Sequence, residues 1–172
     1  LAYLMNAHRL DPETSGVILF AKSKSVLVAL ADFFGVDKPG KKYMALAHGV
    51  PSEDRFEIDA KLAPHLARPG MMSVDREHGK RSRTLFEVLE KFSRNTLLRC
   101  EPLTLRLHQI RVHLRSIGAP ILFDRIYGRG IAPGAFNHAP CDRIALHASR
   151  GGLLDVSTLC RVKVSQFYGI EI

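Results

Sequence analysis

Short apolar runs broken by turn residues fill most of this chain, and only two segments show helical spacing, so strands are expected to outnumber helices. Residues 17–21 (VILFA) follow a glycine and read as a buried strand; Tyr43, Met44, Ala45 and Leu46 suggest a second. Phe56, Ile58 and Ala60 alternate with polar residues, as in a half-exposed strand. Thr84, Phe86 and Val88 alternate again, and a Ser93-Arg94-Asn95 turn leads into TLLRC, which predicts an antiparallel hairpin. Residues 143–148 and 160–164 are further strand candidates, whereas 63–72 and the Gly- and Pro-rich 128–141 read as loops. The helical segments are 25–34, capped by Ser23 or Ser25, and 108–117, ended by Gly118 and Pro120. In the second, Ile110, Leu114 and Ile117 share one face, and Arg111 and Arg115 fall on another. Helices and strands interleave, so the expected fold class is α+β, a domain built around a mixed sheet.

A length of 172 residues suits one domain with a substantial core, and 46% apolar residues is globular composition. Twenty-five Lys and Arg against 17 Asp and Glu give a net charge of +8. That excess is concentrated: residues 76–125 hold 11 basic and 5 acidic side chains. Such a concentration points to a polyanionic partner, RNA or DNA, with a solvated soluble surface as the plainer alternative. No apolar stretch approaches the roughly 20 residues that cross a bilayer, and no basic-then-apolar leader follows Leu1, so neither a membrane anchor nor a signal peptide is expected. Cys100, Cys141 and Cys160 are odd in number and far apart, which fits a reducing, cytoplasmic setting and three small buried side chains.

Two segments carry residues suited to chemistry. In His8-Arg9-Leu10-Asp11-Pro12-Glu13-Thr14-Ser15-Gly16, Asp11 sits in a Pro- and Gly-flanked turn feeding a strand, which would hold its carboxylate at the end of a sheet. The alternative is an ordinary turn aspartate capping backbone amides with Thr14 and Ser15. His108-Gln109-Ile110-Arg111 opens a helix, with Arg106 just before it. That arrangement could hold phosphate oxygens or neutralise a carboxylate from elsewhere in the chain. The alternative there is an amphipathic surface helix with solvated arginines. Tyr43, taken alone, reads as a core aromatic. The histidines lack H-x-x-x-H and H-E-x-x-H spacing, and neither a nucleotide-binding glycine loop nor G-x-S-x-G occurs. Metal sites, nucleotide cofactors and serine hydrolysis therefore have no support.

Together these segments resemble the RluA-type pseudouridine synthases. HRLDPETSG at 8–16 is similar to the family's H-R-L-D-x-x-T-S-G signature at every fixed position. Lys41, Tyr43, Ala45 and Gly49 resemble its K-x-Y-x-A strand, and Ser82, Thr84 and Phe86 its A-x-T-x-F segment. HQIRVHL at 108–114, then Gly118, Pro120, Asp124, Tyr127 and Gly128, and finally Leu146-His147-Ala148, resemble its later blocks. The sequence departs from the pattern at Leu105 and at Phe123, where the family has glycine. The family's upstream N-K-P strand, its Pro-rich ending and an S4-type RNA-binding domain have no match in residues 1–172, which are expected to form one catalytic domain.

The resemblance implies the pseudouridine synthase core, a mainly antiparallel mixed sheet flanked by helices with an RNA cleft across it. It implies an isomerase that converts uridine to pseudouridine in structured RNA, with large-subunit ribosomal RNA favoured over transfer RNA. No cofactor, metal or obligate protein partner is needed for that reaction. By resemblance Asp11 is the essential carboxylate, Arg111 its partner, and Tyr43 lies against the uracil. Arg9 would fill the space a flipped uridine leaves, and Arg106, His108 and Gln109 would help bind the RNA. The competing expectation is a catalytically impaired RNA-binding paralogue of the same fold. An Asp-dependent phosphotransferase would want a D-x-D pair, and Glu13 supplies only D-x-E.

Overall fold

The computed structural model of the chain describes residues 3–33, 40–49, 51–128, 143–151 and 154–155. In chain order these form β1 (Met5–Asn6), β2 (Ser15–Gly16), β3 (Phe20–Ala21), α1 (Lys24–Phe33), β4 (Lys41–His48), β5 (Arg55–Asp59), β6 (Leu62–Pro64), β7 (Met72–Val74), β8 (Arg83–Lys91), β9 (Asn95–Pro102), α2 (Gln109–Ser116), β10 (Leu146–Gly151) and β11 (Leu154–Asp155). The strand expected at 160–164, most of the 128–141 loop, Phe34, Cys141 and Cys160 lie outside the described residues.

Met44, Ala45, Leu46 and Ala47 are buried in succession, which happens only where a strand is covered on both faces. They belong to β4, at the centre of the main sheet. The sheet runs β11-β10-β4-β9-β8-β5, antiparallel along this path, with β2 added parallel to the outer edge of β10. Strands nearer the rim alternate as expected: Phe56 and Ile58 turn inward between exposed Arg55, Glu57 and Asp59. The β8–β9 hairpin closes at the predicted turn, where Phe92 N–H donates to the Asn95 carbonyl at 2.8 Å. Helix α2 is far more buried than an amphipathic surface helix. Ile110 and Leu114 join the main core with Leu46, Leu98 and Phe86, while Val112 packs with Leu62 and Tyr127 in a second cluster. The helix is therefore wedged between the sheet and the small β6–β7 ribbon, so a charge on its inner side has to find a partner inside the protein.

Three expectations change. Residues 17–21 do not form a buried strand. Only Phe20 and Ala21 pair, with β1, and Ile18 and Phe20 are exposed while Ala21 is buried. The run is continuously apolar in sequence, but its ladder partner among the described residues is the two-residue β1, and only alternate side chains find cover. Residues 63–72, read as a loop, contribute the turn and flanks of the antiparallel β6–β7 ribbon, with Pro64 opposite Met72. Proline donates no ladder hydrogen bond and weakens the strand signal in sequence, yet an edge position tolerates it. The helix read as 25–34 starts at Lys24, and Ser23 rather than Ser25 caps it, its Oγ accepting from Val26 N–H at 3.3 Å.

Candidate active site

The loop that carries Asp11 is tied at both ends. Before it, Ala7 N–H donates to the Leu19 carbonyl and Leu19 N–H to His8 Nε2. After it, β2 pairs with His147 and Ala148 of β10, and Ser15 Oγ lies 2.8 Å from His147 Nδ1. Gly16, at φ +124, makes this docking possible. A Cβ there would stand 2.3 Å from the Ala148 carbonyl oxygen, so only glycine lets the two backbones meet. Thr14 N–H closes the turn on the Asp11 carbonyl at 2.9 Å, and the Asp11 carboxylate is left to point inward. Among the described residues it caps no backbone amide and accepts from Arg111, whose Nη1 is 3.2 Å from Oδ2.

Arg111 sits between two aspartates. Its Nε and Nη2 donate in parallel to Asp124 at 2.7 and 2.8 Å, and Nη1 reaches the Asp11 carboxylate. The side chains of Arg111 and Asp124 are 3% and 0% exposed, so this is a fully buried fork. Burial works to lower the pKa of Arg111, but the hydrogen bond and charge of Asp124, then of Asp11, outweigh it, and the net shift is upward. The guanidinium also lies over the Tyr127 ring, 5.0 Å from its centroid. Asp124 holds its own loop as well, accepting the N–H groups of Ile126 and Tyr127 at 2.9 Å each. Phe123, just before it, takes φ 62. Phe123 thus takes a left-handed conformation at a position where the family has glycine, at a strain of about 1–2 kcal/mol offset by packing of the ring on the main core. Leu105, the other departure, has no positive φ and carries no such strain.

A cleft of about 470 Å³ opens in front of these groups. Asp11, Tyr43, Arg111, Arg9, Arg106, His108 and Gln109 all line it, so the seven residues expected to act on or bind RNA surround one space. Tyr43 projects from β4, opposite Cys100 of β9 and Ala148 of β10. Burial, together with the Asp11 charge, pushes its phenol up to about 12, so it stays protonated at neutral pH. His108 precedes α2 in a left-handed conformation, φ 55 and ψ 18, which is strained for a side chain with a Cβ. Its Nε2 is 3.7 Å from Asp11 Oδ2 and its Nδ1 is 2.8 Å from the Tyr127 hydroxyl. Burial lowers its pKa, and Arg111 and Arg9 add to this against the opposing pull of Asp11 and Asp124, so the ring is neutral. Arg9 is exposed, and Arg106 donates through Nε to the Arg81 carbonyl at 3.2 Å.

Gln109 stands apart from the other six. Its Oε1 accepts from Thr104 Oγ1 and Arg106 N–H, and its Nε2 donates to the Arg83 carbonyl and Thr84 Oγ1. All its hydrogen-bonding capacity is spent inside the protein, which makes it a strut for the 104–106 turn, with nothing left over for an RNA. Thr84 in turn lies 3.0 Å from His113 Nδ1, and His113 Nε2 donates to the Ala60 carbonyl at 3.1 Å. Asp124 and Tyr127 were legible only as part of a later block of the resemblance. What their sequence position could not show is that they meet Arg111 and His108.

His8, His108 and His113 all have pKa values lowered from 6.5, each chiefly by burial. The unfolded chain therefore binds protons that the folded chain refuses, and stability falls as the pH drops below about 6.5. The carboxylates Glu57 and Glu87, held low by Arg83 and Arg55, add their loss only below about 4.5. Urea midpoints measured from about pH 8 to 5 are expected to be flat in the upper part of the range and to decline below about 6.5. A midpoint that holds steady down to about 5 would remove the buried neutral histidines from the account.

The model of the RNA pseudouridylate synthase family matches residues 2–116. The chain is 37% identical over 150 residues to ribosomal large subunit pseudouridine synthase C of Buchnera aphidicola, covering 86% of this chain and 48% of that protein. It is 41% identical over 128 residues to the protein of that name from Escherichia coli, covering 73% of this chain and 40% of the other. The chain thus spans about half the length of the curated relatives it matches. Among solved structures, it resembles human RNA pseudouridylate synthase domain containing 1 with a TM-score of 0.72 at 28% identity, covering 85% of this chain and 62% of that one. Human RNA pseudouridylate synthase domain containing 4 follows at 0.69 and 26%, covering 84% and 65%.

Proposed function

This chain belongs to the RNA pseudouridylate synthase family, and on that premise we propose that it isomerises uridines of a structured RNA to pseudouridine, with Asp11 as the essential carboxylate. The observation that carries the reading is the Asp11 carboxylate at the wall of the cleft, 3.2 Å from the buried Arg111 and beside Tyr43. In the reaction the bond from ribose C1′ to uracil N1 breaks, the base turns, and C1′ bonds to C5. The C5 proton leaves and N1 takes one up, so no electrons are exchanged with a cofactor. Asp11 serves either as nucleophile at C1′ or as base in a glycal route. Arg111 supplies the counter-charge that aims it, and Tyr43 meets the loosened base as a neutral phenol, by its ring and as a proton donor. The uridine has to leave its stack to reach this depth, at a cost of a few kcal/mol that contacts from the protein offset. Arg9, exposed beside Asp11, would fill the gap, and Arg106, which lines the same cleft, would hold a phosphate.

The Buchnera and Escherichia relatives are named ribosomal large subunit pseudouridine synthases, which supports large-subunit ribosomal RNA as the substrate here, with transfer RNA as the comparison. No helix among the described residues is long and apolar enough to cross a membrane, and the cytoplasm is the proposed location. The test is tritium release from RNA labelled at C5 of its uridines, run on both RNA classes with the wild type and Asp11→Ala. Release by the wild type alone, faster on ribosomal RNA, is the expected result. Binding that weakens with salt but gives no release from either RNA would replace the reading with that of an RNA-binding module.

A further inference from the structure

Tyr127 touches both groups that approach Asp11. Its ring lies under Arg111, and its hydroxyl oxygen is 2.9 Å from Met72 N–H and 2.8 Å from His108 Nδ1. A backbone N–H can only donate, so the phenol oxygen accepts from Met72. The phenol's own proton then has one acceptor among the described residues, His108 Nδ1. The opposite arrangement, with the proton on Nδ1, would leave the phenol proton without an acceptor among the described residues. It would also turn the bare Nε2 lone pair toward the Asp11 carboxylate, 3.7 Å away. Both defects vanish when His108 carries its proton on Nε2, facing Asp11. Arg111 Nη1 and His108 Nε2 then converge on the same carboxylate oxygen, Oδ2. Oδ1 receives no hydrogen bond from either.

We propose that Tyr127 is a positioning residue whose hydroxyl fixes His108 as the Nε2–H tautomer, so that Asp11 is held through Oδ2 and reacts through Oδ1. The tautomer follows from the geometry alone; the reacting oxygen rests on the pseudouridine synthase reading. The strained left-handed backbone of His108 fits this role, because it brings the ring between Tyr127 and Asp11 ahead of the first turn of α2. The charged and titratable groups that act on the ring are Asp11 and Arg9 from the first loop, Arg111 from its own helix, and Asp124 and Tyr127 from the loop after α2. Protonation of His108 would put hydrogens on both nitrogens and force the Tyr127 proton away from its acceptor.

Nitrogen-15 NMR of the histidine rings in the full chain, at about pH 7.5, reads the tautomer directly, with His108 assigned by its loss in His108→Gln. Wild type is expected to show a protonated Nε2 and a bare Nδ1, and Tyr127→Phe a mixture of both tautomers. In single-turnover tritium release, Tyr127→Phe is expected to slow the reaction about tenfold with half-saturating RNA unchanged. The same substitution in the His108→Gln background is expected to have little further effect, because an amide has no tautomer to set. A wild-type His108 protonated on Nδ1, or an unchanged tautomer and rate in Tyr127→Phe, would overturn the proposal. The wild-type spectrum decides the tautomer even where a variant folds poorly. A wild type with the expected tautomer and no tritium release would sink the functional reading and leave the Tyr127–His108 assignment standing.

Discussion

Asp11→Ala is expected to abolish pseudouridine formation, by on the order of 10⁴-fold, while the protein stays folded and close to wild type in stability. The two halves of that expectation come from the same geometry. Arg111 keeps its two parallel bonds to Asp124 when Asp11 is gone, so no buried charge is stranded. The Asp11 side chain is 18% exposed and the hydrogen bond it accepts from Arg111 is the longest of the three that Arg111 donates to carboxylates. Its removal therefore changes stability by about 1 kcal/mol or less. Asp11→Asn separates shape from charge. The amide keeps the size of the side chain but can neither attack C1′ nor take a proton, so its turnover is expected to be as low as that of Asp11→Ala. RNA affinity is expected to hold in both, since Arg9, proposed to fill the gap, and Arg106, proposed to hold a phosphate, are untouched. Retention of even a tenth of the wild-type rate by either variant would transfer the chemistry to another residue.

Periodicity alone was enough to place the sheet. Alternation at Phe56–Ile58 and Thr84–Phe86 and the unbroken run at Met44–Ala47 correspond to three different degrees of cover, and each reads directly as a strand. It failed at residues 17–21, where cover depends on a two-residue neighbour, and at 63–72, where a proline hides an edge ribbon. The α+β class needed no family resemblance. The site needed one, because Asp11 and Arg111 are 100 residues apart and each alone has an ordinary reading as a turn cap or a solvated charge. What neither spacing nor resemblance exposed was the division of labour among polar groups. Gln109 sits in the same four-residue segment as Arg111, yet its amide is consumed by Thr104, Arg106, Arg83 and Thr84. Such saturation is a property of the packed neighbourhood, since the four partners come from β8 and the turn before α2 and meet only after the sheet has formed. Phe123 is similar. In sequence it is a departure from a glycine pattern, and only the φ of 62 shows that the backbone there is left-handed.

Asp124→Ala is expected to do the reverse of Asp11→Ala and remove stability before it removes chemistry. The Asp124 carboxylate accepts four hydrogen bonds, two from Arg111 and one each from Ile126 and Tyr127 N–H. Its loss leaves a guanidinium that is 3% exposed with one longer bond, to Asp11, and the face of Tyr127. Stranding one partner of a buried ion pair costs about 3–5 kcal/mol, a large share of the 5–15 kcal/mol that holds a domain together. Urea denaturation is expected to show a midpoint lowered accordingly, with a partly unfolded population before denaturant is added. Replacing both partners tells charge apart from packing. Arg111→Met combined with Asp124→Ala removes the stranded charge as well as the carboxylate, and is expected to recover part of the lost stability while remaining inactive. That recovery would place the cost in the buried arginine. A double variant as unstable as Asp124→Ala alone would place it in the Ile126 and Tyr127 amides, whose loop the carboxylate also holds. In either case the larger loss of stability belongs to Asp124, which holds Arg111 and its own loop, and the smaller to Asp11, which accepts one longer bond from the same arginine.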